Sequence, residues 1–365
     1  MLGQMMHRDL SIIDILKFAS ENHSLSEVVS LRTEGDMHRY NYTDCLSRVC
    51  KLANALVGLG IKKGDRVATL AWNGYRHLEL YYGISGIGAV CHTINPRLSP
   101  EQMLYIIEHA GDRLLFVDTT FVPIIEKLIP KLPKNLVIIV MASSDDSSTL
   151  SDNFLNYEQL ILESSHDIIW PELPENTAAG LCYTSGTTGN PKGALYSHRS
   201  TVLHALTTSL NLGPSLGDGM KVLPVVPLFH VNAWGLPYAA PLTGTSLIFP
   251  GPNLDGASLF DLMDQENVNS AWGVPTVWLG LLEEIRKQER VPSQFQNVVI
   301  GGSAAPKSMI EEFESLGITV CHAWGMTEMS PVGTQGFLPG SMKKALSQDE
   351  QISKKCYQGL SLIHI

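Results

Sequence analysis

Short apolar runs separated by helix-length segments constrain this chain's fold more than any other feature of its sequence. Residues 66–72, 89–94, 114–118 and 136–141 each hold enough consecutive apolar side chains for one strand buried on both faces. After Pro171 the pattern restarts, with runs at 180–184, 245–249, 269–274, 298–301 and 318–323. Helical periodicity separates most of them. It is clearest over 42–59, where Leu46, Val49, Cys50, Ala53, Leu56 and Val57 share a face and Gly58 and Gly60 end the segment. Such alternation predicts an α/β fold of layered, largely parallel sheets with flanking helices, whose ligands lie beyond the carboxyl ends of the strands. The restart suggests a first α/β subdomain over 1–170 and a second over 171–359. The Ser/Asp-rich stretch 143–153 reads as a solvated loop.

Composition narrows the function. The 365 residues carry 26 Lys+Arg against 36 Asp+Glu, a net charge of -10, which disfavours a nucleic-acid partner. Charged residues make up 17% and hydrophobic residues 44%, so a large core is available. Cys45, Cys50, Cys91, Cys182, Cys321 and Cys356 form no CxxC pair and read as reduced thiols. Charges at Arg8, Asp9, Asp14 and Lys17 interrupt any signal-peptide pattern. The longest apolar candidate for a membrane span, 80–94, is too short and contains three glycines. These features predict a cytoplasmic, soluble chain with no integral membrane segment.

One loop stands out chemically: Tyr183-Thr184-Ser185-Gly186-Thr187-Thr188-Gly189-Asn190-Pro191-Lys192-Gly193. Its glycines let backbone approach an anion, its hydroxyls and N–H groups donate, and Lys192 adds a mobile positive charge. The chemistry is that of polyphosphate binding. It is not the usual nucleotide P-loop, because Pro191 precedes Lys192 and Gly193 follows it. Two other segments suit a nucleotide. Val299-Ile300-Gly301-Gly302-Ser303-Ala304-Ala305-Pro306 reads as a strand and small-residue turn against which a flat base could lie, and His322-Ala323-Trp324-Gly325-Met326-Thr327-Glu328 offers an aromatic ring, a hydroxyl and a carboxylate.

The eleven-residue loop resembles the signature of the adenylate-forming superfamily of acyl-CoA synthetases, luciferases and nonribosomal peptide adenylation domains. That resemblance implies the large N-terminal domain of the adenylate-forming fold. It also implies ATP binding by Thr184, Ser185, Gly186, Thr187, Thr188, Gly189, Lys192, Gly302, Ser303, Ala304, Ala323, Trp324, Gly325, Met326 and Thr327. Trp324 stands where the family usually has Tyr. Thr184 and Glu328 would hold Mg²⁺. Residues 223–235, with His230 and Trp234, resemble the acyl-CoA synthetase branch; there the equivalent His lies beside the carboxylate and the equivalent Trp gates an acyl tunnel. Val231, Gly302 and Val332 would line that tunnel with them. At Gly235 and Leu236 there is no Asp to hold an amino acid's ammonium group. Residues 1–6 and 91–98 are similar to medium- and long-chain fatty acyl-CoA synthetases, a branch that includes methylmercaptopropionate-CoA ligases and whose members form homodimers through the N-terminal part.

The resemblance implies a two-step ligase, with Thr184, His230 and Glu328 as catalytic residues: a fatty carboxylate and ATP give acyl-AMP, and coenzyme A then displaces AMP. Complete members continue with a Thr-Gly-Asp segment, a hinge and a small C-terminal domain carrying a lysine; no residue after Gly359 matches these, so the chain reads as C-terminally truncated. Residues 360–365, LSLIHI, match the in-frame translation of the transposon adapter CTGTCTCTTATACACATC and are expected to be adapter-derived, the alternative being a short amphipathic tail. Competing functions are a nucleotide- and acyl-binding remnant without turnover and a luciferase-like oxidative enzyme.

Overall fold

The computed structural model describes residues 3–5, 7–144, 154–184, 189–211 and 215–361. The chain opens with helix α1 (Ile12–Asn22), the hairpin β1 (Glu27–Leu31) and β2 (Met37–Asn41), and α2 (Tyr42–Gly58). Strands and helices then alternate through β3 (Arg66–Leu70), α3 (Tyr75–Gly86), β4 (Val90–Thr93), α4 (Pro100–Ala110), β5 (Asp112–Asp118), α5 (Val122–Leu128), β6 (Val137–Met141), β7 (Leu155–Asn156), α6 (Tyr157–Glu163), β8 (Ala178–Thr184) and β9 (Lys192–Ser197). The second run comprises α7 (His198–Asn211), β10 (Lys221–Pro224), α8 (Leu236–Thr243), β11 (Ser246–Phe249), α9 (Gly256–Gln265), β12 (Ser270–Gly273), α10 (Pro275–Gln288), β13 (Asn297–Ile300), α11 (Lys307–Ser315) and β14 (Thr319–Gly325). It ends with β15 (Val332–Gln335), α12 (Gly340–Ala345), α13 (Gln348–Lys355) and β16 (Leu360–Ser361).

The strands form two sheets, in the orders β7-β6-β5-β3-β4-β8-β9 and β16-β15-β14-β13-β12-β10-β11-β1-β2. Each is parallel through its middle and antiparallel toward an edge: β8 with β9 in the first, and β1 with β2, β14 with β15 and β15 with β16 in the second. Membership does not follow chain halves. β1 and β2 join the second sheet, the chain crosses into the first, and it returns only after β9. The pattern change near residue 171 lies between α6 and β8.

Period-two alternation sorts the strand side chains into layers. Val28, Val67, Phe116, Val299 and Cys321 join one core with helices α1, α2, α3 and α8, which fill the space between the sheets. Their neighbours Val29, Val298 and Val320 pack outward under α9, α10 and α11. Ala68, Leu115 and Val117 likewise pack under α4 and α5. The α/β class and the nine apolar runs are thus strands as expected, each within two residues at either end. The helix expected over 42–59 is α2, started by Asn41, whose side chain accepts from the Asp44 N–H at 2.9 Å. Its buried face is rotated from the expected one: Cys45, Leu52 and Leu56 are enclosed while Val57 is 55% exposed, because α2 packs against α1 and α3 together. Of segment 143–153 only Ser143 and Ser144 lie within the described residues. The backbone of Leu360 and Ser361 pairs with Gln335 and Thr334; ladder hydrogen bonds of this kind need no particular side chain, and 362–365 lie outside the described residues.

Every residue of α3 is buried. Gly83 lets α2 close on it, since a Cβ there would stand 2.7 Å from Leu52 Cδ2. A helix enclosed on all sides must still find partners for its charges. Glu79 accepts from Arg48 Nε at 2.6 Å and from the Tyr157 hydroxyl at 2.5 Å. Arg76 donates to Glu158 and Glu34, each at 2.8 Å, and Glu158 also accepts from Tyr75 and Arg48. The network joins α2, α3, α6 and the β1–β2 turn.

Glu79→Ala should therefore cost about 1–3 kcal/mol in urea unfolding, because the buried Tyr157 hydroxyl loses its acceptor and partly buried Arg48 keeps only Glu158. Acid adds a second expectation. Burial pushes His77 and His198 down to about 4, so both stay neutral in the fold while unfolded histidines titrate near 6.5. The unfolded state then binds protons first, and stability falls as pH drops from about 6.5 toward 4. Burial raises Glu158, but Arg48 and Arg76 outweigh it and hold it at about 2, so a further loss follows between about 4.5 and 2. Asp118, raised to about 7 by burial, runs the other way and offsets about one proton. Urea midpoints should decline from pH 7 through 5 to 3; a flat series would contradict this balance.

Candidate functional site

Three strand ends of the second sheet open onto one cleft. Gly301 and Gly302 follow β13, Ala323, Trp324 and Gly325 end β14, and His230, Val231 and Trp234 follow β10; Met326, Thr327, Pro331 and Val332 complete the lining. The volume is about 520 Å³ including the open mouth. Its lining combines the ring of Trp324, 42% exposed, and the Thr327 hydroxyl with the buried apolar side chains of Val231, Trp234 and Val332. Gly301 shapes the join. A Cβ there would stand 2.9 Å from Trp234 Cη2, so only glycine lets the indole lie on the β13 turn.

Trp234 reaches that turn through unusual backbone. Val231, Asn232, Ala233 and Trp234 all have positive φ, from 43° to 56°. Left-handed residues other than glycine cost about 1–2 kcal/mol each, so the turn persists only where its surroundings compensate. The Ala233 N–H donates to Pro227 O at 3.2 Å. Asn232 Oδ1 accepts from the Tyr81 hydroxyl at 3.1 Å and faces Cys182 Sγ at 3.4 Å. His230, at the head of the turn, is exposed at the cleft, with protein packed around part of its ring. That desolvation lowers its pKa below 6.5, Arg97 lowers it further, and the ring is neutral at pH 7.

The β8–β9 hairpin lies next to the turn that carries Thr327. Thr184 and Lys192 face each other in register, and Thr184 Oγ1 donates to Lys192 O at 3.3 Å. Tyr196, further along β9, donates to Thr327 O at 2.5 Å and so ties the hairpin to the turn carrying Thr327 and Glu328. Glu328 is exposed beside this junction. Among the described residues no three His, Cys, Asp or Glu side chains form a metal cage. Thr184 Oγ1 and the Glu328 carboxylate are each hard oxygens, of the kind that suits Mg²⁺ sharing its shell with phosphate and water.

Of the residues singled out in the sequence, the cleft collects His230, Val231, Trp234, Gly302, Ala323, Trp324, Gly325, Met326, Thr327 and Val332. Thr184, Gly189, Lys192, Ser303, Ala304 and Glu328 do not line it; Gly189, Lys192, Ser303, Ala304 and Glu328 are exposed and Thr184 is half-buried. Ser185, Gly186, Thr187 and Thr188 lie outside the described residues. Gly301 and Pro331 line the cleft without having been assigned a role, although Gly301 sits in the small-residue turn already singled out. His322 is a supporting residue of the same kind. Its Nε2 accepts from the Ala305 N–H at 3.2 Å and its Nδ1 faces Lys355 O, which fixes the β13 turn from β14. No helix among the described residues is long and apolar enough to cross a membrane.

Comparison with known proteins identifies the family. The family profile described as AMP-binding enzyme matches residues 18–356. The chain is 48% identical to a medium-chain-fatty-acid–CoA ligase of Ectopseudomonas oleovorans over 98% of its own length and 66% of the relative's. It is 45% identical to a 3-methylmercaptopropionyl-CoA ligase of Ruegeria lacuscaerulensis (98% and 67%) and 42% identical to a long-chain-fatty-acid–CoA ligase of Thermus thermophilus (98% and 64%). The chain thus spans about two thirds of the length of these curated relatives. In fold it is similar to a long-chain-fatty-acid-CoA ligase from Archaeoglobus fulgidus, with a TM-score of 0.82 at 19% identity over 99% of this chain and 70% of that one. An anthranilate CoA ligase bound to anthranoyl-AMP gives 0.81 at 21% identity, over 92% and 63%. By its profile match and by this identity along almost its whole length, the chain belongs to the AMP-binding enzyme family.

Proposed function

We propose that the protein activates a medium- or long-chain fatty acid with ATP and transfers the acyl group to coenzyme A. The observation that carries this reading is one cleft lined by an aromatic ring, a hydroxyl and buried apolar side chains, with His230 opening onto it. Relatives whose names specify fatty acids lend it support. A carboxylate oxygen attacks the α-phosphorus of ATP, the bond from that phosphorus to the β-phosphate bridging oxygen breaks, and pyrophosphate leaves. The coenzyme A thiol, giving up its proton, then attacks the acyl carbon and AMP departs. Such a displacement needs positioning and charge neutralisation more than covalent help.

In this reading Trp324 stacks on adenine, Thr327 bonds phosphate, and Lys192 with the hairpin N–H groups accompanies the leaving pyrophosphate. Thr184 and Glu328 would hold Mg²⁺, which when bound neutralises phosphate charge. His230 donates one N–H to the substrate carboxylate and orients it. The buried wall of Val231, Trp234 and Val332 takes the chain and keeps water from the hydrolysable acyl-AMP. The 45% identity to a 3-methylmercaptopropionyl-CoA ligase favours a second reading, in which the acid is short and sulfur-containing. One methylene separates such substrates by only about 1–3 kcal/mol in an apolar pocket.

The test is pyrophosphate release by the completed enzyme, this chain together with the third of the length that its curated relatives add, with ATP, Mg²⁺ and acetate, octanoate, palmitate or 3-methylmercaptopropionate. Release with octanoate or palmitate, reduced at least about 100-fold by Glu328→Ala, is expected. ATP binding without release on any acid would replace the ligase reading with that of a nucleotide and acyl binder. For His230, one hydrogen bond to a charged group predicts a roughly 10- to 100-fold rise in KM for the acid in His230→Ala. Its ring should titrate below 6.5 by NMR; a midpoint above 7 would remove it as a neutral donor.

A further inference from the structure

We infer that Asn73 is a positioning residue for the acyl side of the cleft, acting through the segment that carries His230 and Trp234. The inference rests on the reading of that cleft as a carboxylate-activating site. Asn73 lies between β3 and α3, is 4% exposed, and does not line the cleft. Its side-chain amide spends both donors and its acceptor on one stretch of backbone: Nδ2 donates to Pro224 O at 2.7 Å and Val226 O at 2.9 Å, and Oδ1 accepts from Leu228 N–H at 2.6 Å. That stretch starts at Pro224, the last residue of β10, where pairing with β12 ends at Trp272 and pairing with β11 has already ended at Val222. Asn73 stands in for the missing strand partner and fixes alternate residues 224, 226 and 228 as a ladder would.

The same helix supplies a second anchor. Tyr81, on α3, points its hydroxyl at Leu228 O, 2.5 Å away, and at Asn232 Oδ1, 3.1 Å away. Between them Asn73 and Tyr81 hold both sides of His230 and the first part of the left-handed turn. The ATP side is supported elsewhere. Thr184 and Lys192 are held by their own hairpin, and Thr327 by Tyr196. Loosening the α3 anchors therefore misplaces the acid-binding half while the nucleotide half stays intact. A role in stability alone makes no such division.

The experiment compares the wild-type chain with Asn73→Ala and Tyr81→Phe, the second removing one hydroxyl so that a folded variant is available if the first does not fold. Hydrogen exchange over 223–236 should quicken roughly tenfold in Asn73→Ala, and less in Tyr81→Phe, with β13 and β14 unchanged. In the pyrophosphate assay KM for the acid should rise roughly tenfold while KM for ATP stays within about twofold. Folded variants with unchanged exchange, or with acid and ATP weakened equally, would overturn the inference. A wild-type chain that turns over none of the acids would instead overturn the ligase reading, and the exchange comparison would then decide the role of Asn73 by itself.

Discussion

A helix enclosed on every side is the constraint on which the rest of this molecule depends. α3 runs between the two sheets, and its apolar residues close the central core while Arg76 and Glu79 sit where water cannot reach them. Their partners come from α2, α6 and the β1–β2 turn, elements that are far apart in sequence. Buried ion pairs contribute little net stability against well-packed apolar groups of the same size. Broken ones are costly, so the network holds one arrangement of four elements and with it the angle at which the first sheet's connections meet the second. Asn73 and Tyr81 belong to that same rigid unit, which links the packing of the core to the backbone of the cleft.

The cleft itself combines order and strain in a way that suits chemistry. Its floor consists of strand ends in a parallel sheet, rigid because their backbone groups are paired. Its polar and aromatic groups sit on turns: a small-residue turn after β13, the short helical turn with Thr327 and Glu328, and the left-handed turn with Val231 and Trp234. Four non-glycine residues in left-handed backbone would not persist in an isolated peptide. They persist here because side chains from β8 and α3 satisfy the polar groups the turn exposes.

Much of this was legible before any coordinates. The nine apolar runs become strands because a strand buried on both faces needs consecutive apolar residues whatever its neighbours do. Strands that were not legible are β1, β2, β7, β9, β10, β15 and β16, of which β2, β9 and β10 show why. β2 keeps only Tyr40 buried and lies at an edge, β9 carries exposed Lys192 and Leu195, and β10 is four residues ending in proline. None offers a periodic signal of its own. The motifs that resemble adenylate-forming enzymes place ten of their residues around one cleft, since such motifs record the local backbone that a nucleotide requires. Asn73 carried no such signal. An isolated asparagine before a glycine reads as a turn, and its significance lies in backbone 150 residues away.

By itself, then, the sequence determined the layers, the family and the identity of the chemical groups, because these follow from side-chain pattern and short-range spacing. Tertiary structure decided which sheet each strand joins, sending β1 and β2 to the second and β8 and β9 to the first. It decided that α2 buries Cys45 and Leu52 rather than Val57, and that a neutral histidine, a left-handed turn and a tryptophan lying on glycine meet in one place. The physical reason is the same in each case. Burial, desolvation and the satisfaction of buried polar groups are set by contacts between residues distant in the chain, and no local pattern encodes the partner.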